Sequence, residues 1–329
     1  MKYKFLTFNL GQTQKFSQED WEHEFREKGS EWKEQLEFQT NPYAWVICTQ
    51  EDTDTSSFIE VFYSTFLSSS YKRVFMTSFD KMKISLFFHV HLALFVLKKR
   101  NNNEKVIKSG IIVHERKLLF VRKMTSIVQY GDIMFAGAHF PMISEGNNGL
   151  LQRKAALEKV MSVFTESNAK YMFLMGDLNF RIVKIDGYDA EQLQFILNES
   201  KNQNVRDLVW ENLPSVNLTC KMEPQRPENC TTTENPLKCF SNKRTPSLCD
   251  RILFVRKDGM DLNVNVSSIK TLEFGAILQS DHNALLAELD LDKTPVPQSR
   301  KVSKSSMVTP SQVKVLLEKS KQTRSLSEF

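Results

Sequence analysis

Six short apolar runs in this chain meet polar residues at their ends, and that pattern constrains the fold more than any bulk property. "FLTFN" ends on Asn9, "WVICTQE" on Glu51, "IMFAGAH" on His139, and "YMFLMGDLN" on Asp177 and Asn179. Asp250 and Arg251 precede "ILFV", and Asp281 and His282 precede "NALLAEL". Runs this short and this apolar read as buried strands. A single polar residue at a strand end is an ordinary turn or cap. Six sets in one chain ask for more than turn chemistry.

The remaining segments frame these strands. "KYKFLTFNL" opens the chain as a strand rather than a signal segment, and "AWVICTQ" is the second strand. The charged stretch Trp21 to Gln39 reads as helical. Phe58, Phe62 and Phe66 recur every four residues and mark a helix, as do Leu157, Met161 and Phe164 within Leu150 to Ser167. Further strands are expected near 71–76, 84–97, 117–129 and 132–138, with "YMFLMGD", "RILFVR", "NALLAELDL" and "NVNVSSIKTLE" completing the set. Gln192 to Leu213 reads as mostly helical, and Lys221 to Thr245 as a long polar loop. The 14-residue run "ISLFFHVHLALFVL" is too short to span a bilayer, and His89 and His91 fall on one side of a strand there. Many strands with few helices between them predict an α/β fold: a four-layer α/β/β/α sandwich of two stacked mixed sheets with outer helices.

Charge separates the chain into a body and a tail. The net charge is +5 over 329 residues, yet the segment from Lys293 carries eight Lys/Arg against two Asp/Glu. Residues 1–292 are therefore near neutral and show no nucleic-acid footprint. Residues 293–329 are rich in Ser, Lys, Thr and Pro and read as a disordered basic tail, suited to weak peripheral contact with anionic membranes. The five cysteines (48, 220, 230, 239 and 249) fit neither zinc pairs nor a disulfide scaffold, so free thiols in a cytoplasmic protein are expected. A monomer is expected.

The polar groups at the strand ends supply hard oxygen ligands, two histidines, an amide and an Arg. That combination suits metal-assisted phosphate-ester hydrolysis. Mg²⁺ needs one or two carboxylates, with phosphate oxygens filling other positions. Attacking water needs a carboxylate base and a group that orients it. The charge that develops at phosphorus needs cationic or N–H donors around it.

Taken in order, the motifs resemble the inositol polyphosphate 5-phosphatases within the endonuclease/exonuclease/phosphatase superfamily, whose fold is DNase I-like. "GDLNFRI" is similar to that family's Gly-Asp-x-Asn-aromatic-Arg signature, "PSLCDRILF" to its Pro-Ala-Trp-Cys-Asp-Arg-Ile-Leu signature, and "SDHNALL" to its closing Ser-Asp-His element. "FNLG", "TQED" and "GAHFP" resemble the earlier motifs. The likeness spans residues 1–292 and implies one catalytic domain. It implies Mg²⁺ held by Glu51, with Asn9 beside it and Asp281 near or bound to the metal. Asp177 would activate or position water, and Asn179 would hold that water or the phosphate. His282, oriented and charged by Asp250, and His139 would hydrogen-bond the scissile phosphate. Arg181, Arg251, Lys221, Lys243 and Arg244 would bind further phosphates of an inositol phosphate or phosphoinositide.

Three departures from the family pattern stand out. "FVRKMTS" keeps Lys123 of an expected Gly-Asn-Lys-Gly stretch but neither glycine, Leu248 replaces a Trp, and Phe180 stands where many members have Tyr. Two other readings stay open. One is a phosphodiesterase of the same superfamily, either a nuclease or a sphingomyelinase. The other is a catalytically idle module that binds membrane or a partner.

Overall fold

The central strands are buried along almost their whole length because both of their faces are covered. In β1 (Lys2–Asn9), Tyr3 and Phe5 point into one core while Leu6 and Phe8 point into another. In β8 (Tyr171–Asp177), Phe173 and Met175 share the first core with β1, and Met172 and Leu174 enter a third. These three apolar layers are what a sheet-on-sheet sandwich with outer helices requires.

The computed structural model describes residues 1–11, 17–52, 58–76, 91–99, 106–117, 120–142, 147–180, 182–185, 188–199, 204–212, 216, 219–220, 247–272 and 280–292. The first sheet is formed by β1, β2 (Ala44–Asp52), β3 (Tyr71–Met76), β4 (His91–Lys99), β13 (Asn263–Leu272) and β14 (Ala284–Asp292), in the order β13-β14-β1-β2-β4-β3. The second contains β5 (Val106–Lys117), β6 (Phe120–Tyr130), β7 (Ile133–His139), β8, β11 (Val205–Asp207) and β12 (Asp250–Arg256), in the order β11-β12-β8-β7-β6-β5. The strands β9 (Ile182–Ile185) and β10 (Tyr188–Glu191) form a separate hairpin. One parallel pair lies at the centre of each sheet, β1 with β2 and β7 with β8. Both sheets are therefore mixed, and the expected sandwich is the observed one.

Helices cover the outer faces. α1 (Gln18–Glu27) starts at Ser17, which forms a capping box with Asp20 and satisfies first-turn donors. Trp21 and Phe25 of α1 and Trp32 of α2 (Gly29–Gln35) pack on the first sheet with Phe58, Phe62 and Phe66. The Phe spacing holds through α3 (Phe58–Phe62) and a π-helical turn, Tyr63–Leu67. α4 (Asn147–Glu166) and α5 (Gln192–Glu199) cover the second sheet with Leu157, Val160, Phe164, Leu193 and Ile196.

Several sequence expectations change. The helical stretch from Trp21 breaks at Lys28, which caps α1 and precedes α2. The strand expected at 117–129 spans the turn of a hairpin, β5 with β6. The helix expected from Gln192 to Leu213 ends at Glu199, and β11 then adds to the edge beside β12. Cys220 and Cys249 are joined as a disulfide, with Cα atoms 6.0 Å apart, so of the cysteines expected free only Cys48 is so among the described residues. Cys230, Cys239, His89, the loop 221–245 and the tail from Lys293 lie outside the described residues. Among the described residues, no helix is long and apolar enough to cross a membrane.

His114 is partly buried. Its Nε2 lies 2.7 Å from Thr125 Oγ1, and its ring meets Phe140 edge-on at 5.0 Å. Burial, reinforced by Lys159, lowers its pKa from 6.5 to about 4. Between those values the unfolded chain binds a proton that the folded chain refuses, so stability falls as pH drops from 6.5 towards 4. Urea unfolding across that range should show a smaller acid loss in His114→Gln, by on the order of 2 kcal/mol. Parallel pH profiles for the two proteins would refute this assignment.

Candidate active site

Backbone register sets the site. His139, Asp177 and Asp250 are the end residues of β7, β8 and β12, and pairing puts them in one row: His139 opposite Asp177, and Asp177 opposite Asp250. In the facing sheet, Asn9 pairs with Gln50, which puts Glu51 one residue further along the neighbouring strand. Asp281 and His282 enter just before β14. The six polar strand ends therefore meet at one rim of the sandwich.

Asp177 is the centre. Its Oδ2 accepts a hydrogen bond from Asn9 Nδ2 at 2.9 Å, tying the two sheets together. Its Oδ1 accepts from the Asn179 backbone N–H at 2.9 Å. The same carboxylate lies 3.5 Å from His139 Nε2 and 3.9 Å from His282 Nε2. Asn179 Nδ2 donates to Phe140 O at 3.0 Å, fixing the loop after His139.

His282 Nδ1 pairs with Asp250 Oδ2 at 3.0 Å, and Asp281 Oδ1 lies 3.8 Å from His282 Nε2. Burial opposes charge on this imidazole and also raises the pKa of Asp250, but Asp250, with Asp281 and Asp177, holds the His282 pKa above the usual value. His282 is thus set up to carry charge and to present Nε2 toward Asp177.

The backbone accepts strain to make this arrangement. Glu51 and Asn179 have φ of 56° and 54°, a region that side-chain-bearing residues seldom occupy. Gly176 has φ of 126°, and a Cβ there would lie 2.1 Å from Ala138 O. Only glycine allows β7 and β8 to close so tightly beside Asp177.

Glu51 supplies the metal test. Burial raises its pKa, with Lys123 as the largest opposing influence and His282, Asp177 and Asp281 also felt there. Lys123 Nζ lies 4.0 Å from Glu51 Oε1 and contacts His139 Nε2. Among the described residues, no group of three or more His, Cys, Asp or Glu gathers tightly enough to form a protein-only metal cage. A partly buried carboxylate with an amide beside it and a second carboxylate near is instead a fit for Mg²⁺, which retains water and takes phosphate oxygens.

The other expected substrate residues fare differently. Arg251 is fully buried, and its guanidinium turns away from the rim. It donates to Asp207 Oδ2 at 2.7 Å and to Leu248 O at 2.7 Å, and it sits over the Trp210 ring. This corrects the expectation that Arg251 contacts substrate: side chains alternate along β12, so Asp250 and Arg251 cannot share a face. Arg181, Lys221, Lys243 and Arg244 lie outside the described residues. Phe180 is buried in the α4 core, and Leu248 fills space in the core between the sheets. Lys123 is the group at the rim to which sequence reasoning assigned no role. Its signal was faint, one lysine of an otherwise missing motif.

A four-layer sandwich with this polar rim defines the hydrolase class of the endonuclease/exonuclease/phosphatase superfamily. Residues 6–288 match the model for Endonuclease/Exonuclease/phosphatase family 2, and the chain belongs to that family. No curated protein sequence matches the chain. Among solved structures, a Cimex nitrophorin ferrous NO complex is similar over 88% of this chain and 97% of that one, with TM-score 0.56 and 14% identity. An endonuclease/exonuclease/phosphatase from Bacteroides vulgatus is similar over 89% and 100%, at 0.53 and 14%. A D. rerio TDP2 humanized by 14 mutations is similar over 88% and 99%, at 0.52 and 16%.

The Arg251 correction carries a prediction. Removing one member of a buried ion pair leaves its partner charge uncompensated, at a cost of about 3–5 kcal/mol. Arg251→Ala should therefore unfold at markedly lower denaturant concentration, without substrate present. Unchanged stability with only a raised KM would restore the substrate-contact reading.

Proposed function

We propose that this chain is a divalent-metal-dependent phosphoester hydrolase that attacks phosphorus directly with water. The observation that carries the reading is the setting of Asp177: a carboxylate held by Asn9 and by the Asn179 N–H, with two imidazoles within 4 Å. Glu51, Asn9 and Asp281 would hold Mg²⁺, which would neutralise phosphate charge and polarise the ester. Asp177 orients the attacking water and takes its proton. Asn179, pinned by Phe140 O, fixes that water or a phosphate oxygen. His282, charged by Asp250, and His139 donate to the charge that grows on the phosphoryl oxygens. Lys123 adds a cation to the same side. No side chain needs to become phosphorylated.

For the substrate, the favoured fine reading is the 5-phosphate of an inositol phosphate or phosphoinositide. It rests on "GDLNFRI" and "PSLCDRILF". A second reading, phosphodiester cleavage by a nuclease or sphingomyelinase, draws on different support. The family match is broader than inositol phosphatases. A D. rerio TDP2 complexed with single strand DNA product has the same fold, at TM-score 0.50 and 14% identity. The burial of Arg251 also removes one of the cations offered to ring phosphates.

One set of assays separates these readings. Inositol 1,4,5-trisphosphate, phosphatidylinositol 4,5-bisphosphate, single-stranded DNA and sphingomyelin are each incubated with the full chain, with Mg²⁺ or EDTA. Mg²⁺-dependent phosphate release from the inositol substrates is the expected result. Cleavage of DNA or sphingomyelin alone would transfer the conclusion to the second reading, and no turnover of any substrate by folded protein would sink both. On whichever substrate turns over, Asp177→Ala and His282→Ala should each lose about 10²-fold or more in kcat. Near-normal turnover in either variant would remove its assigned role.

A further inference from the structure

Behind the Asp250–His282 pair lie Thr219 and Cys220, which are outside the named strands yet touch the approaches to both sheets. Cys220 forms isolated β-bridges with Ser247 on one side and His282 on the other. Thr219 N–H donates to Ser247 O at 3.1 Å, and Asn283 N–H donates to Thr219 O at 2.8 Å. The Thr219 hydroxyl accepts from the Asp250 N–H at 3.2 Å. Thr219, Cys220, Ser247 and Cys249 are all buried. The segment thus fixes the backbone of Asp250, in one sheet, relative to that of His282 and Asn283, at the entry to the other.

The disulfide falls on the same feature. Cys249 immediately precedes Asp250, and Cys220 immediately follows Thr219. Their bond spans 29 residues of sequence and closes across the site's back wall. Two sheets packed face to face are free to shear slightly, and a hydrogen-bonded pair with one partner on each is sensitive to that shear.

We propose that Thr219 is a positioning residue for the Asp250–His282 pair, and that the Cys220–Cys249 disulfide is the lock that holds Thr219 in register. The proposal rests on the hydrolase reading above for its effect on turnover. Opening the lock is thiol–disulfide exchange: a dithiol gives up two electrons and two protons and becomes a disulfide, while the Cys220–Cys249 bond takes them and becomes two thiols. With the lock open, the strap loosens, and Asp250 and His282 lose their fixed separation.

The test uses the full chain in two readouts. The first is kcat and KM on the substrate found above, for wild type with and without dithiothreitol, Thr219→Val, Thr219→Ser, and Cys220→Ser/Cys249→Ser. Expected is a kcat loss of about tenfold or more in Thr219→Val, with KM little changed and recovery in Thr219→Ser. Dithiothreitol should lower wild-type kcat to that of the double cysteine variant and leave the double variant unaffected. The second readout is amide hydrogen exchange, which needs no activity. The Asp250 amide should exchange faster in Thr219→Val, and the Asp250 and Asn283 amides should both exchange faster after dithiothreitol. If wild type turns over nothing, the hydrolase reading fails, while exchange still judges the strap. Unchanged exchange in Thr219→Val overturns the positioning role, and unchanged exchange and kcat after dithiothreitol overturn the lock. Should Thr219→Val not fold, Thr219→Ala, which also lacks the hydroxyl, is judged by the same criteria.

Discussion

The hydrogen bond from Asn9 Nδ2 to Asp177 Oδ2, at 2.9 Å, is where the two sheets become one site. Asn9 ends β1 and Asp177 ends β8, strands whose Phe5, Phe173 and Met175 share one apolar core. Apolar packing is not directional and cannot by itself set a carboxylate to a fraction of an ångström. The Asn9–Asp177 bond can, and the geometry around it follows. Asn9 Oδ1 accepts from Gly11 N–H, and Ser280 Oγ donates to Asn9 O while accepting from the His282 N–H. The segment bearing Asp281 and His282 is thereby hung on the strand that carries Asn9. On the other sheet, Asp177 stands between His139 and Asp250 by strand register alone.

That register explains why so much of the site was legible in the sequence. A residue at the exit of a buried strand has its position fixed by pairing, and the chain marks the exit by switching from apolar to polar. Asn9, Glu51, His139, Asp177, Asn179, Asp250, Asp281 and His282 all carry that mark, and the structure brings all of them to one rim. The layers were legible for a related reason: strands apolar at every position need cover on both faces. What escaped was set by neighbours rather than by local pattern. β11 has three residues and is a strand because β12 offers an open edge. Arg251 reads as a surface cation until the alternation of β12 and the presence of Asp207 bury it. Cys220 and Cys249 lie 29 residues apart, and nothing in that spacing says that both segments return to one wall.

Fold alone does not choose the chemistry here. The same sandwich, at 14% identity, is found in a nitrophorin NO complex. Function must be argued from the side chains grafted on it. The strain at Glu51 and Asn179 is relevant to that argument. Holding a side-chain-bearing residue at positive φ costs on the order of 1–3 kcal/mol. A chain free to relax would place Gly or an extended residue at either point. Of the four side-chain-bearing residues at positive φ, Glu37 and Asn41 flank the short turn Phe38–Thr40, while Glu51 and Asn179 lie at the rim, one offering a partly buried carboxylate and the other an amide fixed by Phe140 O.

The buried charges beneath the rim complete the same logic. An Arg251–Asp207 pair is no more stabilising than apolar residues of equal volume would be, since desolvation offsets most of the attraction. What it adds is direction. Asp207 also accepts from the Val209 and Trp210 amides and from Gln194 Nε2, so Arg251 is held by a fixed acceptor rather than by a surface. Arg251 adjoins Asp250 in β12, and its second bond to Leu248 O constrains the backbone just before Asp250. Thr219 constrains Asp250 from the other side, its hydroxyl accepting from the Asp250 N–H. Asp250 is thus held through its neighbours as well as through His282. A carboxylate that helps keep an imidazole charged inside a buried site benefits from a rigid backbone, because a small displacement would weaken the bond that, with the charges of Asp281 and Asp177, offsets the imidazole's desolvation.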